Sequence, residues 1–364
     1  MKGTEGVSMV DSASCMVDQD NELDYLCVDS FLRTLVDARA LLTAFELRLI
    51  DHLAEKPSSD AVSLSRELRI DGQGLRVLLH LLQANEVVES IDSRFNLTRG
   101  FRKALRCRDL LVTKLEFTRF VLPDFAEGFT TLLTDPSRFM SGARVFDLFS
   151  YGRCLEPGPE NYAHTERWMR VTTCLTRYEA LVCLRHHDFS SYARLLDIGG
   201  NSGEFALRVC RRHPRIQATV LDLPVVCEVG MRHLAPEPER DRITFLKGNA
   251  LRDELPQGFD LVVFKSMLHD WPEEAARHLI VKASQALKPG GTLLIFERGP
   301  LEEGDPAIPY SMIPFLLFFR SFRSPSFYEQ ELRSLSFTEI STKWIRLETP
   351  FFLLTATYTP HCAR

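Results

Sequence analysis

The chain lacks the cysteine spacings that mark disulfide frameworks and zinc sites. It has 9 cysteines in 364 residues, and none of them stands in a CxxC pair. An odd number also leaves at least one thiol without an intramolecular partner. This usage is typical of free thiols in a reducing compartment. It predicts a cytoplasmic protein without a metal site.

The chain also lacks an excess of basic residues and any long apolar run. Its net charge of −5 and pI near 6.1 argue against a nucleic-acid binder that works through a basic face. The longest strongly apolar stretch, Ile313–Phe319, is far too short to span a bilayer. Residues Met1–Asp24 have no apolar region of the kind that a secretory signal needs. The sequence therefore predicts neither a nucleic-acid partner nor a membrane partner.

Three stretches of different character divide the chain. Residues 1–22 are polar and mixed, which predicts a disordered N-terminal segment. Residues 23–185 show helical periodicity, whereas residues 186–364 alternate short apolar runs with helical stretches. A length of 364 residues is enough for two such domains and a large core.

The helical domain begins with a pattern of helix, turn, helix and hairpin. Apolar residues recur at helical spacing over Leu26–Leu53 and Leu75–Leu82, with a break at Asp71–Gly72. Val87–Leu97 has β-branched residues around a polar turn, which predicts a hairpin. This is the winged-helix pattern, which serves as a DNA reader or as a packing and dimerisation module. The acidic chain favours the module.

Residues 100–185 combine helical periodicity with many aromatic side chains. Most of these side chains predict a packed core, and some could wall a pocket for a small apolar substrate. They are Phe117, Phe120, Phe125, Phe129, Phe139, Phe146, Phe149 and Tyr151.

The C-terminal part predicts an α/β fold with a Rossmann-like sheet of seven, mainly parallel strands. Short apolar runs separated by helical stretches indicate such a doubly wound sheet, and two β-rich runs within Thr342–Tyr358 would close it. The earlier runs are Leu195–Ile198, Ala218–Leu221, Ile243–Leu246, Leu261–Phe264 and Leu293–Phe296.

A glycine-rich turn, Asp197–Gly203 (DIGGNSG), follows the first of these strands and opens a helix. Glycines there let the backbone turn tightly and approach a ligand. Asp222 ends the next strand, where a carboxylate can accept hydrogen bonds from ribose hydroxyls, as in NAD and S-adenosylmethionine (SAM) sites alike. SAM is favoured because the chain has no further glycine-rich provision for a pyrophosphate, and because Gly248–Asn249 offers a polar side chain for adenine.

The block Lys265–Pro272 (KSMLHDWP) follows a buried apolar run and contains a His–Asp pair and a Trp. Together with the glycine turn, Asp222, Gly248–Asn249 and Gly290–Glu297, it resembles the caffeate/acetylserotonin-type O-methyltransferases over roughly residues 25–358. The resemblance implies a class I methyltransferase domain, an N-terminal helical winged-helix dimerisation domain, a homodimer, and SAM as the cofactor. The cofactor contacts that it implies are Asp197, Gly199, Gly203, Asp222, Leu223, Asn249, Ala250, Lys265 and Trp271.

His269 is the candidate catalytic base, with Glu297 as the carboxylate that orients it and Asp270 as a neighbouring acid. Methyl transfer needs the acceptor held close to the methyl carbon and in line with it, and a phenol must also lose a proton. In water, a pKa of ~10 for a phenol and ~6.5 for a histidine leave a gap of roughly 5 kcal/mol. Carboxylate help is therefore expected.

One segment departs from the family pattern, which usually has a second supporting Glu late in the chain. Arg320–Ser324 has no acid, and the supporting position falls at Arg323 or Ser324; Ser326 and Glu329 predict a capping box for the next helix. Arg can hold a substrate carboxylate bidentately. The hypothetical substrate-binding set is Arg320, Arg323, Trp168 and Met169.

The residues thus leave several functions open. Oxygen methylation of a small molecule is the family default. S-methylation of a small thioether carboxylic acid, such as methylthio-hydroxybutyrate in dimethylsulfoniopropionate synthesis, would suit the arginines because a thioether has no proton to lose. A SAM-sensing winged-helix regulator is a third hypothesis, and an NAD dehydrogenase is the weakest one.

Overall fold

The computed structural model describes residues 24–31, 35–300, 313, 317–318 and 321–360. The predicted disordered segment 1–22 and the candidate Arg320 lie outside these residues. Within the described ranges, no helix is both long enough and apolar enough to cross a lipid bilayer.

The N-terminal region is mainly helical, with one small sheet. Short 3₁₀ helices lie at Asp24–Phe31, Leu105–Cys107 and Tyr151–Cys154. The helices are α1 (Leu35–Glu46), α2 (Leu49–Glu55), α3 (Ala61–Leu68), α4 (Gly72–Ala84), α5 (Arg99–Ala104), α6 (Arg108–Thr134), α7 (Pro136–Gly142), α8 (Arg144–Leu148) and α9 (Pro159–His186).

The helical spacing over Leu26–Leu53 belongs to more than one element, which are the 3₁₀ helix Asp24–Phe31, α1 and α2. Arg48 has a left-handed φ of 59°, which separates α1 from α2 without a Pro or Gly to announce the break. The break at Asp71 is as expected, because its carboxylate accepts the N–H groups of Gln73 and Gly74 and caps α4. A hairpin forms where it was expected, and Ser59–Asp60 adds a third strand: β1 (Ser59–Asp60), β2 (Val88–Ile91) and β3 (Arg94–Leu97), in the order β1-β3-β2.

The C-terminal region contains the predicted seven-stranded, mostly parallel sheet. Each expected apolar run is a strand because both faces are covered; in β7, Phe259–Phe264 is buried throughout. The strands are β4 (Arg194–Ile198), β5 (Gln217–Asp222), β6 (Ile243–Lys247), β7 (Phe259–Lys265), β8 (Leu287–Arg298), β9 (Phe337–Arg346) and β10 (Pro350–Tyr358). The flanking helices are α10 (Glu204–Arg212), α11 (Pro224–Leu234), α12 (Glu273–Ala286) and α13 (Pro325–Ser334), with 3₁₀ helices at Pro238–Arg242 and Leu268–Asp270.

The strand order is β6-β5-β4-β7-β8-β10-β9, and β10 pairs antiparallel with both β8 and β9. The chain runs outward from β4 through β5 to β6 and then crosses back to β7, on the other side of β4. In such sheets a crevice opens at the carboxyl ends of the strands where the direction of winding reverses. A ligand site is therefore expected beside the ends of β4 and β7.

Candidate active site

A cavity of about 660 Å³ lies at this reversal point, beneath side chains of α6 and α9. It brings together residues that the sequence placed far apart, from the glycine turn, from the ends of β5 and β7, and from the His–Asp–Trp block. The site residues expected from sequence that line it are Asp197, Gly199, Asp222, Leu223, Asn249, Ala250, Lys265, His269, Asp270, Trp271 and Trp168.

The glycine turn has the conformation that its residue types suggest. Gly199, Asn201 and Gly203 have φ values of 67°, 57° and 74°. Asn201 thus adopts the positive φ expected for it. A Cβ on Gly199 would lie 2.6 Å from the Met267 side chain, so only glycine fits there. Gly203 does not line the cavity; it precedes α10, and its absent Cβ leaves room for Phe245.

Asp222 is held at the end of β5 by two backbone donors. Its carboxylate accepts the N–H of Asn201 at 2.8 Å and the N–H of Leu223 at 2.7 Å. Burial raises the pKa of Asp222 to about 6 despite these hydrogen bonds. The carboxylate does not cap α11, whose N-cap residue is Leu223. Asp222 also lines the cavity, so it stays the candidate acceptor for ligand hydroxyls.

Asp197 carries an uncompensated polar atom in the cavity wall. Its side chain is buried, and among the described residues its Oδ2 atom has no hydrogen-bond partner. Burial raises the pKa of Asp197 to about 7, and the nearby Asp222 carboxylate adds to the effect. A buried carboxylate of this kind is costly unless a cation or donor satisfies it. SAM, which carries an ammonium and a sulfonium, fits this acidic end of the cavity.

Lys265 forms an ion pair with a buried carboxylate of α9. Its ammonium contacts the buried carboxylate of Glu179 on α9 and donates to Thr176 Oγ1 at 2.9 Å. Arg298 donates to the other oxygen of Glu179 at 2.6 Å. Neither Glu179 nor Arg298 was predicted from the sequence, because a charged residue within a long helix or at a strand end carries no local signal of its partner.

His269 lies in the cavity wall with Glu297 behind it. Its Nδ1 is 2.7 Å from Glu297 Oε2, while Glu297 Oε1 accepts the N–H groups of Met267 and Leu268 at 2.7 and 2.8 Å. Burial of the ring disfavours its charged form, yet Glu297 and Asp270 outweigh this effect and raise the pKa of His269 above its ordinary value of 6.5. With Nδ1–H donated to Glu297, Nε2 is the ring atom left to accept a proton, on the side that Asp270 approaches.

Asp270 is the second acid beside the base. Its Oδ1 lies 3.4 Å from His269 Nε2, and its Oδ2 accepts the Tyr151 hydroxyl at 2.9 Å. Burial raises the pKa of Asp270, although the neighbouring imidazole opposes this shift. Tyr151 also lines the cavity, and its place in this network is a tertiary contact across 119 residues that no local pattern announces.

The segment expected to hold a substrate carboxylate has another arrangement. Arg323 donates to the carbonyl of Leu268 at 3.0 Å and to that of Trp271, so its guanidinium holds the turn that carries His269. Arg323 does not line the cavity, and its expected role as a carboxylate ligand finds no support here. Phe322, the residue beside it, packs on the His269 ring at 5.3 Å between centroids.

Two further expectations from sequence need correction. Met169 is buried against Val226 rather than exposed in the cavity. The capping box at Ser326 and Glu329 is also wrong: α13 begins with Pro325 at its first position, and the cap is Ser324, whose hydroxyl accepts the Ser326 N–H.

Aromatic side chains form the wall of the cavity around His269. About half of the aromatic residues singled out in residues 100–185 contribute, and Phe125, Phe129 and Phe139 instead pack on one another. The aromatic residues lining the cavity are Phe117, Phe146, Phe149, Tyr151, Trp168, Phe205, Trp271, Phe318 and Phe322. The lining around His269 is therefore rich in aromatic rings, and its polar groups include Asp270 and the Tyr151 hydroxyl.

Comparisons with known proteins agree with this geometry. A family model described as an O-methyltransferase domain matches residues 142–312. The N,N-dimethyltransferase OxyT of Streptomyces rimosus is 30% identical over 266 residues, which cover 71% of this chain and 74% of that protein. The chain belongs to the SAM-dependent O-methyltransferase family. Its members use SAM, so the cofactor expected from sequence is confirmed.

The chain is also similar to a human sequence relative and to a solved human structure. A probable bifunctional dTTP/UTP pyrophosphatase/methyltransferase protein of Homo sapiens is 27% identical over 270 residues; these cover 71% of this chain and only 42% of that protein. The structure of human N-acetylserotonin methyltransferase in complex with SAM superposes with a TM-score of 0.71 at 20% identity, covering 94% of this chain and 99% of that one. The latter similarity confirms the fold.

Proposed function

We propose that this protein transfers the methyl group of SAM to a hydroxyl oxygen on a small, largely apolar aromatic molecule, with His269 as the general base. The observation that carries the proposal is the pairing of His269 Nδ1 with Glu297 at 2.7 Å in a cavity walled by aromatic rings. Bound SAM would supply an electrophilic methyl group.

The residues proposed to hold SAM occupy one end of the cavity. Asp222 would accept the ribose hydroxyls, and Asp197 would take a cationic group that satisfies its unpaired oxygen. Trp271, beside the loop of Asn249 and Ala250, would pack near the adenine. Gly203 would shape the turn without touching the ligand.

The pKa of His269 is raised, which is the direction that oxygen methylation needs. The pKa of a simple phenol lies about 3.5 above that of a histidine in water, and Glu297 narrows this gap by raising the pKa of His269. The base must be neutral to act. The methylation rate should therefore rise with pH through a midpoint above about 6.5. Below that midpoint His269 is protonated and the rate should be low.

The aromatic wall favours a planar, uncharged acceptor. Two cations of the lining are already paired, since Lys265 and Arg298 share the Glu179 carboxylate. Arg323 is engaged with backbone carbonyls. Of the two arginines that suggested a carboxylate clamp, Arg323 is engaged elsewhere and Arg320 lies outside the described residues. S-methylation of a thioether carboxylic acid is therefore the less favoured proposal.

A nitrogen acceptor is the second candidate. OxyT, at 30% identity, is an N,N-dimethyltransferase, and Asp270 places a carboxylate 3.4 Å from His269, where an amine N–H could be held. The regulator hypothesis is disfavoured by the intact pairing of base and carboxylate, which a domain that only senses SAM does not need.

The proposal is tested by mass spectrometry of SAM reactions with matched phenols, anilines and methylthio acids. We expect the mass of a phenol to increase by that of one CH₂ group, with the site of methylation read by fragmentation. Methylated product from anilines alone would show that the acceptor atom is nitrogen and not oxygen. No product from any acceptor, together with retardation of DNA in a gel shift, would favour the regulator.

The division at residues 185/186 and the assembly are also proposals. We propose a homodimer in the cytoplasm, formed through the helical region 23–185, with residues 186–364 as the SAM-binding part. Light scattering after size exclusion should give a mass of about twice the 41.6 kDa of one chain.

A further inference from the structure

Lys282 on α12 is a buried cation whose known partners are uncharged. The residue is 9% exposed. Its ammonium donates to the carbonyl of Ala250 at 2.6 Å and to the carbonyl of Asp253. Both of these acceptors are backbone carbonyls and not carboxylates. A buried cation is expensive, and a Met or Leu would fill the same space more cheaply.

The loop that Lys282 holds is otherwise closed on itself. Asn249 N–H donates to Asp253 Oδ2 at 2.7 Å, and Asn249 O accepts the N–H groups of Arg252 and Asp253, each at 2.8 Å. Leu251 N–H donates to Asn249 Oδ1 at 3.0 Å. These bonds leave the carbonyls of Ala250 and Asp253 for the side where α12 packs.

The peptide unit between Ala250 and Leu251 connects Lys282 to the Asn249 side chain. The Ala250 carbonyl and the Leu251 N–H belong to one planar unit and point in opposite directions. Lys282 fixes the carbonyl, which fixes the direction of the Leu251 N–H. That N–H binds Asn249 Oδ1 and so decides which way the amide group turns.

We infer that Lys282 is a positioning residue for the adenine end of the methyl donor. Through the Ala250–Leu251 peptide it turns the Asn249 amide so that its NH₂ group is available to the cavity that Asn249 lines. Adenine ring nitrogens accept hydrogen bonds, so an NH₂ donor suits them. This inference rests on the proposed function and its placement of SAM in the cavity, and it adds a residue that lies outside the cavity.

The test is the affinity for S-adenosylhomocysteine, measured by calorimetry on the full chain. Lys282→Met keeps most of the length of the side chain and removes its donors. We expect Kd for S-adenosylhomocysteine and KM for SAM to rise about tenfold, the size of one lost charge-assisted hydrogen bond, with kcat at saturating SAM within about twofold of the wild type. Lys282→Gln, which keeps an uncharged NH₂ donor group, should lose less.

Lys288→Met is the matched control. Lys288 is a half-exposed lysine paired with Asp260, and its removal should leave Kd unchanged. If Lys282→Met lowers Tm but binds S-adenosylhomocysteine like the wild type, the role is only structural and the inference is overturned. Should that variant not fold, an unchanged Kd in Lys282→Gln overturns the inference in the same way.

A double-mutant cycle tests whether Lys282 acts through the Asn249 amide or only by stabilising the loop as a whole. In an Asn249→Ala background, Lys282→Met should cause little further loss, because the amide it orients is gone. If the fold-increase in Kd of the double variant equals the product of the two single increases, Lys282 does not act through Asn249. Failure of the wild type itself to bind S-adenosylhomocysteine would instead overturn the proposed function.

Discussion

Replacing Glu297 by Gln should remove the base without disturbing the fold. In the structure, Glu297 Oε1 accepts two backbone N–H groups and Oε2 accepts His269 Nδ1–H. A glutamine oxygen can keep both backbone bonds. Its NH₂ group would then face Nδ1, where two donors cannot coexist, so the imidazole must change to the tautomer that has its hydrogen on Nε2.

The size of the effect follows from this tautomer change. With the hydrogen on Nε2, His269 can no longer accept the proton of the acceptor, and general-base catalysis is worth roughly 10²–10⁴ in rate. We expect kcat to fall about 10³-fold. Stability should fall by only about 2–3 kcal/mol, because three hydrogen bonds to a charge become bonds to a neutral group.

The pH dependence supplies the second readout. Loss of the Glu297 charge removes the main influence that raises the pKa of His269, while burial, which lowers it, remains. Any residual activity should therefore rise with pH at a lower midpoint than in the wild type. The assay is the methylation rate at saturating SAM over about pH 5–9, with calorimetric affinity for S-adenosylhomocysteine as a check that the site is intact.

Glu329→Gln is the matched control, since Glu329 lies on α13 and binds Thr342 and Arg333 away from the cavity. It should leave both rate and midpoint unchanged. Glu297→Gln with a kcat within about threefold of the wild type, and with the same midpoint, would refute a base oriented by Glu297.

Three more predictions concern the walls of the site. SAM affinity should weaken as pH falls through about 7 to 6, where Asp197 and Asp222 take up protons. Asp197→Asn should abolish the part of this change that occurs near pH 7. A calorimetric Kd for SAM that does not vary between pH 8 and 6 in the wild type would contradict this prediction. Arg323→Met should lower kcat about tenfold by loosening the His269 turn, equally for neutral and acidic acceptors; a rise in KM for acidic acceptors alone would restore the carboxylate clamp. Phe149→Ala should raise acceptor KM about tenfold with unchanged affinity for S-adenosylhomocysteine, and equal losses in both would show that Phe149 supports the whole cavity.

Much of the fold could be predicted because the signals are local. A strand buried on both faces must be apolar, as in Phe259–Phe264, and the turn after β4 needs positive φ at Gly199. The break at Arg48 could not be predicted, since an ordinary residue takes the left-handed conformation there. The start of α13 was misplaced because Pro325 and Ser324 outweighed the capping box expected two residues later.

The site was predictable to the extent that its residues are defined by strand ends. His269, Asp222 and Glu297 come next to strand ends, and parallel strands bring such ends together. Their partners come from distant segments: Glu179 from α9 and Tyr151 from a 3₁₀ helix. The direction of a long side chain is likewise set by tertiary packing, which is why Arg323 turned out to bind backbone carbonyls instead of a substrate.

The central claim is that His269 removes a proton from a hydroxyl acceptor as the methyl group of SAM is transferred. Its most direct test is the rate of methyl transfer by His269→Ala, measured by mass spectrometry with the best phenol of the panel at saturating SAM. We expect a fall in kcat of about 10³-fold with unchanged affinity for S-adenosylhomocysteine, and partial recovery on addition of imidazole. A kcat within about threefold of the wild type would contradict it and would show that His269 only lines the pocket.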